Sequence, residues 1–537
     1  MRRFIISVIC AVCGLSAQAQ RLRVGELCSG MKKIYIPEDL RGMDLQADTS
    51  QWSFRRSIET DDLIFMWERG FSPLLQEGMG EVSGPDLDGH PMRFNLTNLR
   101  DRVQSFYTFF RDTLAFIPSA DASPTRSLSK PGSKCDRYKM MVMVNYSLDG
   151  TAYGGTYDNF IGALWVAPNR IQDEKMNCMA HELGHSFQLQ IPADSVGDAW
   201  GGSGFFEMTS QWMLWQVNPD WLTDENYHFE AFKQLTHKAY LHLDNIYHSP
   251  YVIQWWSDLH GRKSIAELYR QGRIGEDPVM TYKRLYSLSQ QQFCDEMFRG
   301  YQHLVNFDFK HARKETRQYA CTFNTKLETS PNPSCRRGNV CGGESCRRGN
   351  VCGGESCRRG NVCEGESCRR GNVCEGESCR RGNVCEGESC RRGNVCEGES
   401  CRRSDCPPPT GGVRGGHSNC ETHFWLHPKD YPEEYGFNAI LLDDHVNLKA
   451  KSFDLRLQGD NLRYGFVGIT TDDEEIYSDI NATRFTTPEG KTLRHLYLIV
   501  MGAPQQHYQI PMPTEENPEP KAELQQFPYQ FRLSINL

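Results

Sequence analysis

Between residues 334 and 399 the chain repeats one eleven-residue unit six times, twice as SCRRGNVCGGE and four times as SCRRGNVCEGE. Each copy holds a single valine and no aromatic residue, so stacked copies have nothing apolar to bury. The tract therefore divides the chain, and any hydrophobic core must come from the residues before it or after it. Zinc-binding cysteines favour short C-x₂₋₄-C pairs, whereas the gaps here alternate strictly between five and four residues. Composition predicts a flexible, Cys-rich, low-complexity insert over 334–406, closed by a Pro/Gly linker over 407–417.

A chain of 537 residues, 39% hydrophobic and with ten tryptophans, is long enough for two or more cored units. A formal charge of −8 gives no reason to expect a nucleic-acid partner. Residues 1–19 read as a secretory signal peptide: Arg2 and Arg3, an apolar run over 4–15, then Ala17-Gln18-Ala19. That run is too short for a membrane span, and no later run approaches the needed length. The expected location is secreted, periplasmic or cell-surface. Removing Cys10 and Cys13 with the leader takes 22 cysteines to 20, in a compartment where disulfides persist. Cys321 and Cys420 flank the insert and form a candidate pair.

The pattern before the insert is α+β. Strands are expected at KKIYIP, DDLIFMW, YKMMVMVNYS and IGALWVAP, and an amphipathic helix at NLTNLRDRVQSFYTFFRDTLAF. The residues over 118–134 read as a loop. A second helix is expected over 169–190, with Met176, Met179, Ala180, Leu183 and Phe187 buried. From 205 to 310 helices dominate, including HFEAFKQLTHKAYLHLDNIYH as one piece. After the insert, residues 418–537 read as short strands of a β-sandwich: FNAILLD, HVNLKAKSF, RYGFVGITT, RHLYLIVMGA and YQFRLSI. The segment over 319–328 is a candidate first strand of that unit.

The expected second helix carries His181-Glu182-Leu183-Gly184-His185. Residues four apart share a helix face, so two imidazoles can reach one Zn²⁺ at about 2.0–2.1 Å. Glu182 would sit beside the metal as a general base for its water. A third ligand is required. The metzincin extension needs Gly at 188 and His at 191, where this chain has Gln188 and Ile191. Asp194 and Asp198 are open alternatives. Glu207 is favoured, because an acid at an otherwise apolar helix start calls for a partner. Gln211, one turn on, could orient a ligand.

HELGH followed by a downstream glutamate resembles the gluzincin metallopeptidases. HELGHSFQ is particularly similar to the enhancin and mucin-peptidase branch, whose motif also carries a glutamine at the position of Gln188. That resemblance implies a zincin-like domain over 20–315, a mixed-sheet half and a helical half enclosing Zn²⁺ held by His181, His185 and Glu207. It also implies a Tyr or His stabilising the oxyanion. AYLHLDNIYHSPY offers His242, Tyr247, His248 and Tyr251, with Tyr247 and His248 as the candidates. More widely, residues 33–310 and the tail YGFNAILLDD…YLIVMGAPQQH resemble a family of secreted bacterial proteins that carries no established activity.

The expected function is a secreted zinc metallopeptidase-like hydrolase acting on an extracellular protein or glycoprotein. The alternative is a non-catalytic adhesion or glycan-binding protein on the same scaffold. IGALWVAP could be an edge strand that pairs with substrate, or a strand buried in its sheet. Gln254-Trp255-Trp256 could stack a sugar, or could be aromatic core.

Overall fold

The computed structural model describes residues 32–73, 80–117, 132–150, 152–330, 425–511 and 524–536, with the backbone of short repeat strands between 338 and 403. The expected leader, most of the 118–134 loop, the 407–417 linker and Cys420 lie outside the described residues. The chain forms two compact units, Met1–Thr322 with Pro504–Leu524, and Phe323–Ala503 with Gln525–Leu537. The tail over 504–524 thus belongs to the first unit, not to the 418–537 unit expected from sequence. Within that first unit Gln290 Nε2 donates to the Pro504 carbonyl at 3.1 Å.

The first unit is built on a mixed five-stranded sheet of β1 (Ser57–Glu59), β2 (Leu63–Trp67), β3 (Met140–Val144), β4 (Ala152–Tyr157) and β5 (Ile161–Val166), in the order β1-β2-β3-β5-β4. β2-β3 and β3-β5 pair in parallel, while β1-β2 and β4-β5 are antiparallel. β2 reads LIFMW and β3 MMVMV, buried at every position, the mark of strands covered on both faces. β5 lies between β3 and β4, so IGALWVAP is an interior strand. β1 and β4 are the sheet's edges, and the tandem glycines of β4, AYGGTY, concealed it from a propensity reading. KKIYIP contributes only an isolated bridge from Lys33 to Tyr138.

Helices α1 (Leu96–Asp112), α2 (Asn177–Ala193), α3 (Gly204–Val217), α4 (Asn226–Leu235), α5 (Tyr251–His260), α6 (Lys263–Gln271), α7 (Pro278–Leu285) and α8 (Gln290–Leu304) complete this unit. α2 starts at Asn177 and not at 169, because Met176 before it adopts a left-handed φ of 57°. The expected long helix after α3 ends at Leu235, and the chain runs on through turns to a 3-10 turn at Leu243–Asn245. Gln254 and Trp256 are fully buried in α5, and Trp255 donates to the Glu296 carbonyl, so this tripeptide is core.

In the second unit two antiparallel sheets enclose one core. Phe453, Leu455, Phe531 and Leu533 come from one sheet, and Ile440, Phe466, Leu498 and Val500 from the other. HVNLKAKSF enters its strand only at Ser452, and the Leu327–Ser330 strand pairs with Trp425–Pro428. The strand expected over 319–328 is therefore displaced toward the insert.

Composition predicts a flexible segment for the repeat over 334–406. Its described backbone forms parallel strands in which Ser345 pairs with Ser356, Ser356 with Ser367 and Ser367 with Ser378. A parallel register that advances by one unit per rung means that each copy is one coil. Identical units repeat the same main-chain hydrogen-bond register, so pairing does not need an apolar core.

Candidate metal centre

α2 is anchored to the interior strand β5 by its polar side chains. Ser186 Oγ donates to the Ala163 carbonyl at 2.8 Å, and Gln190 Oε1 accepts from Gly162 N at 2.8 Å. α3 begins with Ser203 as its cap, accepting from Phe206 N, and puts Glu207 in the first turn. The two helices meet at Gly184, where an added Cβ would lie 2.4 Å from Ser210 Oγ. Ser210 donates its hydroxyl to the His181 carbonyl. The glycine of HELGH is therefore a packing requirement that lets α3 deliver Glu207 to the histidines.

His181, His185 and Glu207 converge, with one potential ligand atom from each within 4.8 Å of the others. His185 Nε2 lies 3.0 Å from His181 Nε2, and Glu207 Oε2 lies 3.1 Å from each of those nitrogens. Four ligands arranged tetrahedrally at zinc–ligand distances of about 2.0–2.1 Å are roughly 3.3 Å apart, so the triangle needs little adjustment to fit the ion. Two histidines and one carboxylate also form a donor set of catalytic zinc sites. Burial raises the Glu207 carboxyl, but hydrogen bonds and charge from His181 and His185 prevail and hold it down at about 2. Burial lowers His181, and Glu207 together with the Glu182 charge more than reverses this.

The surrounding side chains fix the imidazoles. Gln188 Nε2 donates to the Phe206 carbonyl and the Tyr269 hydroxyl, both at 2.8 Å, which turns Oε1 toward His185 Nδ1 at 2.9 Å. Nδ1 therefore carries a proton held by Gln188, which leaves Nε2, the nitrogen beside Glu207 and His181, as the one that would ligate a metal. Replacing Gln188 with leucine is expected to weaken zinc binding about 10–100-fold, measurable by competition with a chromogenic chelator. Gln211 also raises His181. His181 Nδ1 and Gln211 Oε1 are both buried atoms without a hydrogen-bond partner among the described residues.

Glu182 lines the same cleft as the triangle and reaches β4, its Oε2 accepting from Gly154 N at 2.7 Å. A Cβ on Gly154 would lie 1.9 Å from the Glu182 carbonyl oxygen, so β4 can approach α2 this closely only without a side chain. Gly154→Ala is expected to cost about 1–3 kcal/mol of stability through overpacking, read from urea unfolding, and to release the Glu182 carboxylate.

These groups line a cleft of about 420 Å³ whose other walls include Tyr153, Glu225, Tyr227, His228 and Tyr247. Tyr247 lies 6.1 Å from His181, ring centre to ring centre. Burial, followed by the Glu207 and Glu182 charges, raises its hydroxyl, which stays protonated and able to donate. His248 does not line the cleft. Its Nδ1 meets His228 Nδ1 at 2.8 Å, and burial and the His228 charge lower its pKa. The cleft histidine is His228, whose Nε2 meets Gln211 Nε2 at 3.2 Å. Sequence reasoning passed over it as part of a long amphipathic helix. The alternative ligands are engaged elsewhere: Asp194 accepts from Lys134 N, and Asp198 accepts from Ala199 N. His242 Nδ1 accepts from Asp244 N, capping a turn, and Tyr251 is buried in α5.

An α+β chain with a mixed sheet, a helix bearing two histidines and a glutamate from the next helix is the class defined by this fold and site. The chain belongs to a family described as a family of unknown function (DUF6055), matching over residues 27–336 and 416–536. The match stops and resumes on either side of the repeat, which makes the repeat an insertion in the family fold. No curated protein and no solved structure matches the chain.

Proposed function

We propose that this protein is an exported zinc-dependent metallopeptidase of gluzincin type. The observation that carries the reading is the His181–His185–Glu207 triangle with a second carboxylate, Glu182, beside it in an open cleft. In this reading the domain is zincin-like, His181, His185 and Glu207 hold Zn²⁺, and the leader over 1–19 directs export. Bound zinc would supply Lewis-acid polarisation of a peptide carbonyl and acidification of a water.

The chain's own residues do the rest. Glu182 takes a proton from the attacking water and returns it to the departing amine. Gly154 N–H holds that carboxylate by its Oε2, on a residue that lines the cleft. The Tyr247 hydroxyl is the preferred donor to the developing oxyanion, with His228 the second candidate from the same cleft. β4 is a free sheet edge beside the site, suited to an extended peptide lying alongside it. Tyr153, Tyr227 and Tyr247 are all exposed on this cleft, offering ring faces to a protein or glycoprotein chain.

A non-catalytic adhesion or glycan-binding role would give Glu182 no use beyond its hydrogen bond from Gly154 N, and its place in the cleft beside the triangle favours the hydrolase. The second unit would then bind or position the substrate. Among the described residues no helix is long and apolar enough to cross a membrane. The test is elemental analysis of protein purified without chelators, with digestion of a peptide and glycoprotein library. Zinc near one equivalent and cleaved products are expected, and protein lacking zinc would overturn the reading.

A further inference from the structure

The cleft wall carries a positive side chain that the proposed chemistry leaves unused. Arg170 is the only arginine or lysine among the described residues lining the cleft, set against Glu182, Glu207 and Glu225. It ends the 3-10 turn Pro168–Arg170, which follows β5. The last residue of β5, Val166, pairs with Ala152 at the start of β4, and Ala152 lines the same cleft. Arg170 is exposed, and its guanidinium donates to the thiol of Cys178 in the first turn of α2. Cys178 precedes the ligand His181 by three residues, about 4.5 Å along the helix axis.

The glutamates that could neutralise Arg170 are committed elsewhere. Glu182 accepts from Gly154 N at 2.7 Å, and Glu207 Oε2 lies 3.1 Å from each ligand imidazole. Glu225 accepts from Asn177 Nδ2 at 3.0 Å and from Trp221 Nε1 at 2.9 Å. Among the described residues no carboxylate hydrogen-bonds Arg170, and the charge of Glu182 acts on it only through space.

We infer that Arg170 is a specificity residue that holds a carboxylate of the substrate. The cleft would then select peptides carrying an Asp or Glu side chain, or a free C-terminus, close to the bond cut. This rests on the peptidase reading above. An exposed guanidinium presents paired N–H donors in a fork that fits a carboxylate bidentately. A phosphorylated chain would call for a cluster of arginines, and the described lining residues include one. An extended peptide advances about 3.3 Å per residue. With Arg170 held over Cys178, one helical turn from His181, the carboxylate belongs to a residue within a few positions of the metal.

The test uses full-length protein purified without chelators and three matched pools of synthetic peptides. The first pool has free C-termini, the second has C-terminal amides, and the third has amides with Gln and Asn replacing Glu and Asp. Cleavage by wild type is counted by mass spectrometry, and retention is measured on immobilised Glu182→Gln. From the first pool to the third, both readouts should fall about 10–100-fold, the worth of a hydrogen bond to a charged group. The second pool assigns the carboxylate: a fall there points to the C-terminus, a fall only in the third to a side chain. Adding Arg170→Gln to either background should erase the discrimination. Protein that treats the first and third pools alike, or Arg170→Gln that still discriminates as its parent does, would overturn the proposal. If no pool is cleaved, the peptidase reading falls, and retention alone decides whether Arg170 holds a carboxylate.

Discussion

Glu182→Gln should retain a full equivalent of zinc and lose about 10²–10⁴-fold in peptide turnover, the share a positioned general base supplies. The substitution keeps the side chain's shape and an acceptor oxygen for Gly154 N–H, which lies 2.7 Å from Oε2. It removes only the ability to take a proton. His181, His185 and Glu207 have their hydrogen bonds among themselves and with Gln188, so the ligand triangle does not depend on this carboxylate. The loss should therefore appear in kcat, with metal content and thermal stability near wild type. Wild-type turnover by this variant would leave the zinc reading standing and remove Glu182 as the base. Loss of zinc would instead show that Glu182 supports the metal.

The sequence exposed the half of this site that lies on one helix and concealed the half that depends on tertiary contact. His181, Glu182 and His185 share a helical spacing, and Glu207 betrays itself as an acid among apolar neighbours. Gln188 was legible through its place in the motif. Gly154 and His228 were not, because a glycine in a short strand and a histidine in an amphipathic helix carry no local mark of what they face. Of the two oxyanion candidates that AYLHLDNIYHSPY offers, Tyr247 lines the cleft, whereas His248 meets His228 and is not among the cleft's lining residues. The fold followed the same rule. The buried strands β2 and β3 announced themselves by unbroken apolar runs, whereas the edge strand β4 and the coiling of the repeat arise from backbone pairing, to which composition is blind.

Glu207→Ala should abolish stoichiometric zinc binding, and with it both activity and the stabilisation the metal confers. Outer-shell changes such as Gln188→Leu weaken metal sites about 10–100-fold, and deleting a direct ligand must cost more, because the remaining His pair cannot close the coordination. Mass action turns this into a stability measurement: free zinc at a thousand times its Kd stabilises the folded protein by about 4 kcal/mol. Wild type and Glu182→Gln should both show that zinc-dependent rise in melting temperature, and Glu207→Ala should not. The apo variant also separates metal from fold. In the metal-free protein Glu207 bridges two buried imidazoles, His181 and His185, so removing it leaves them without their acid and lowers apo stability as well. A variant that melts lower than apo wild type yet still gains the full zinc increment would show that Glu207 supports the histidines structurally while another group completes the metal shell. Asp194 and Asp198 are held by backbone amides, so neither sequence alternative is free for that place, and zinc rescue of Glu207→Ala is the outcome that would overturn Glu207 as the third ligand.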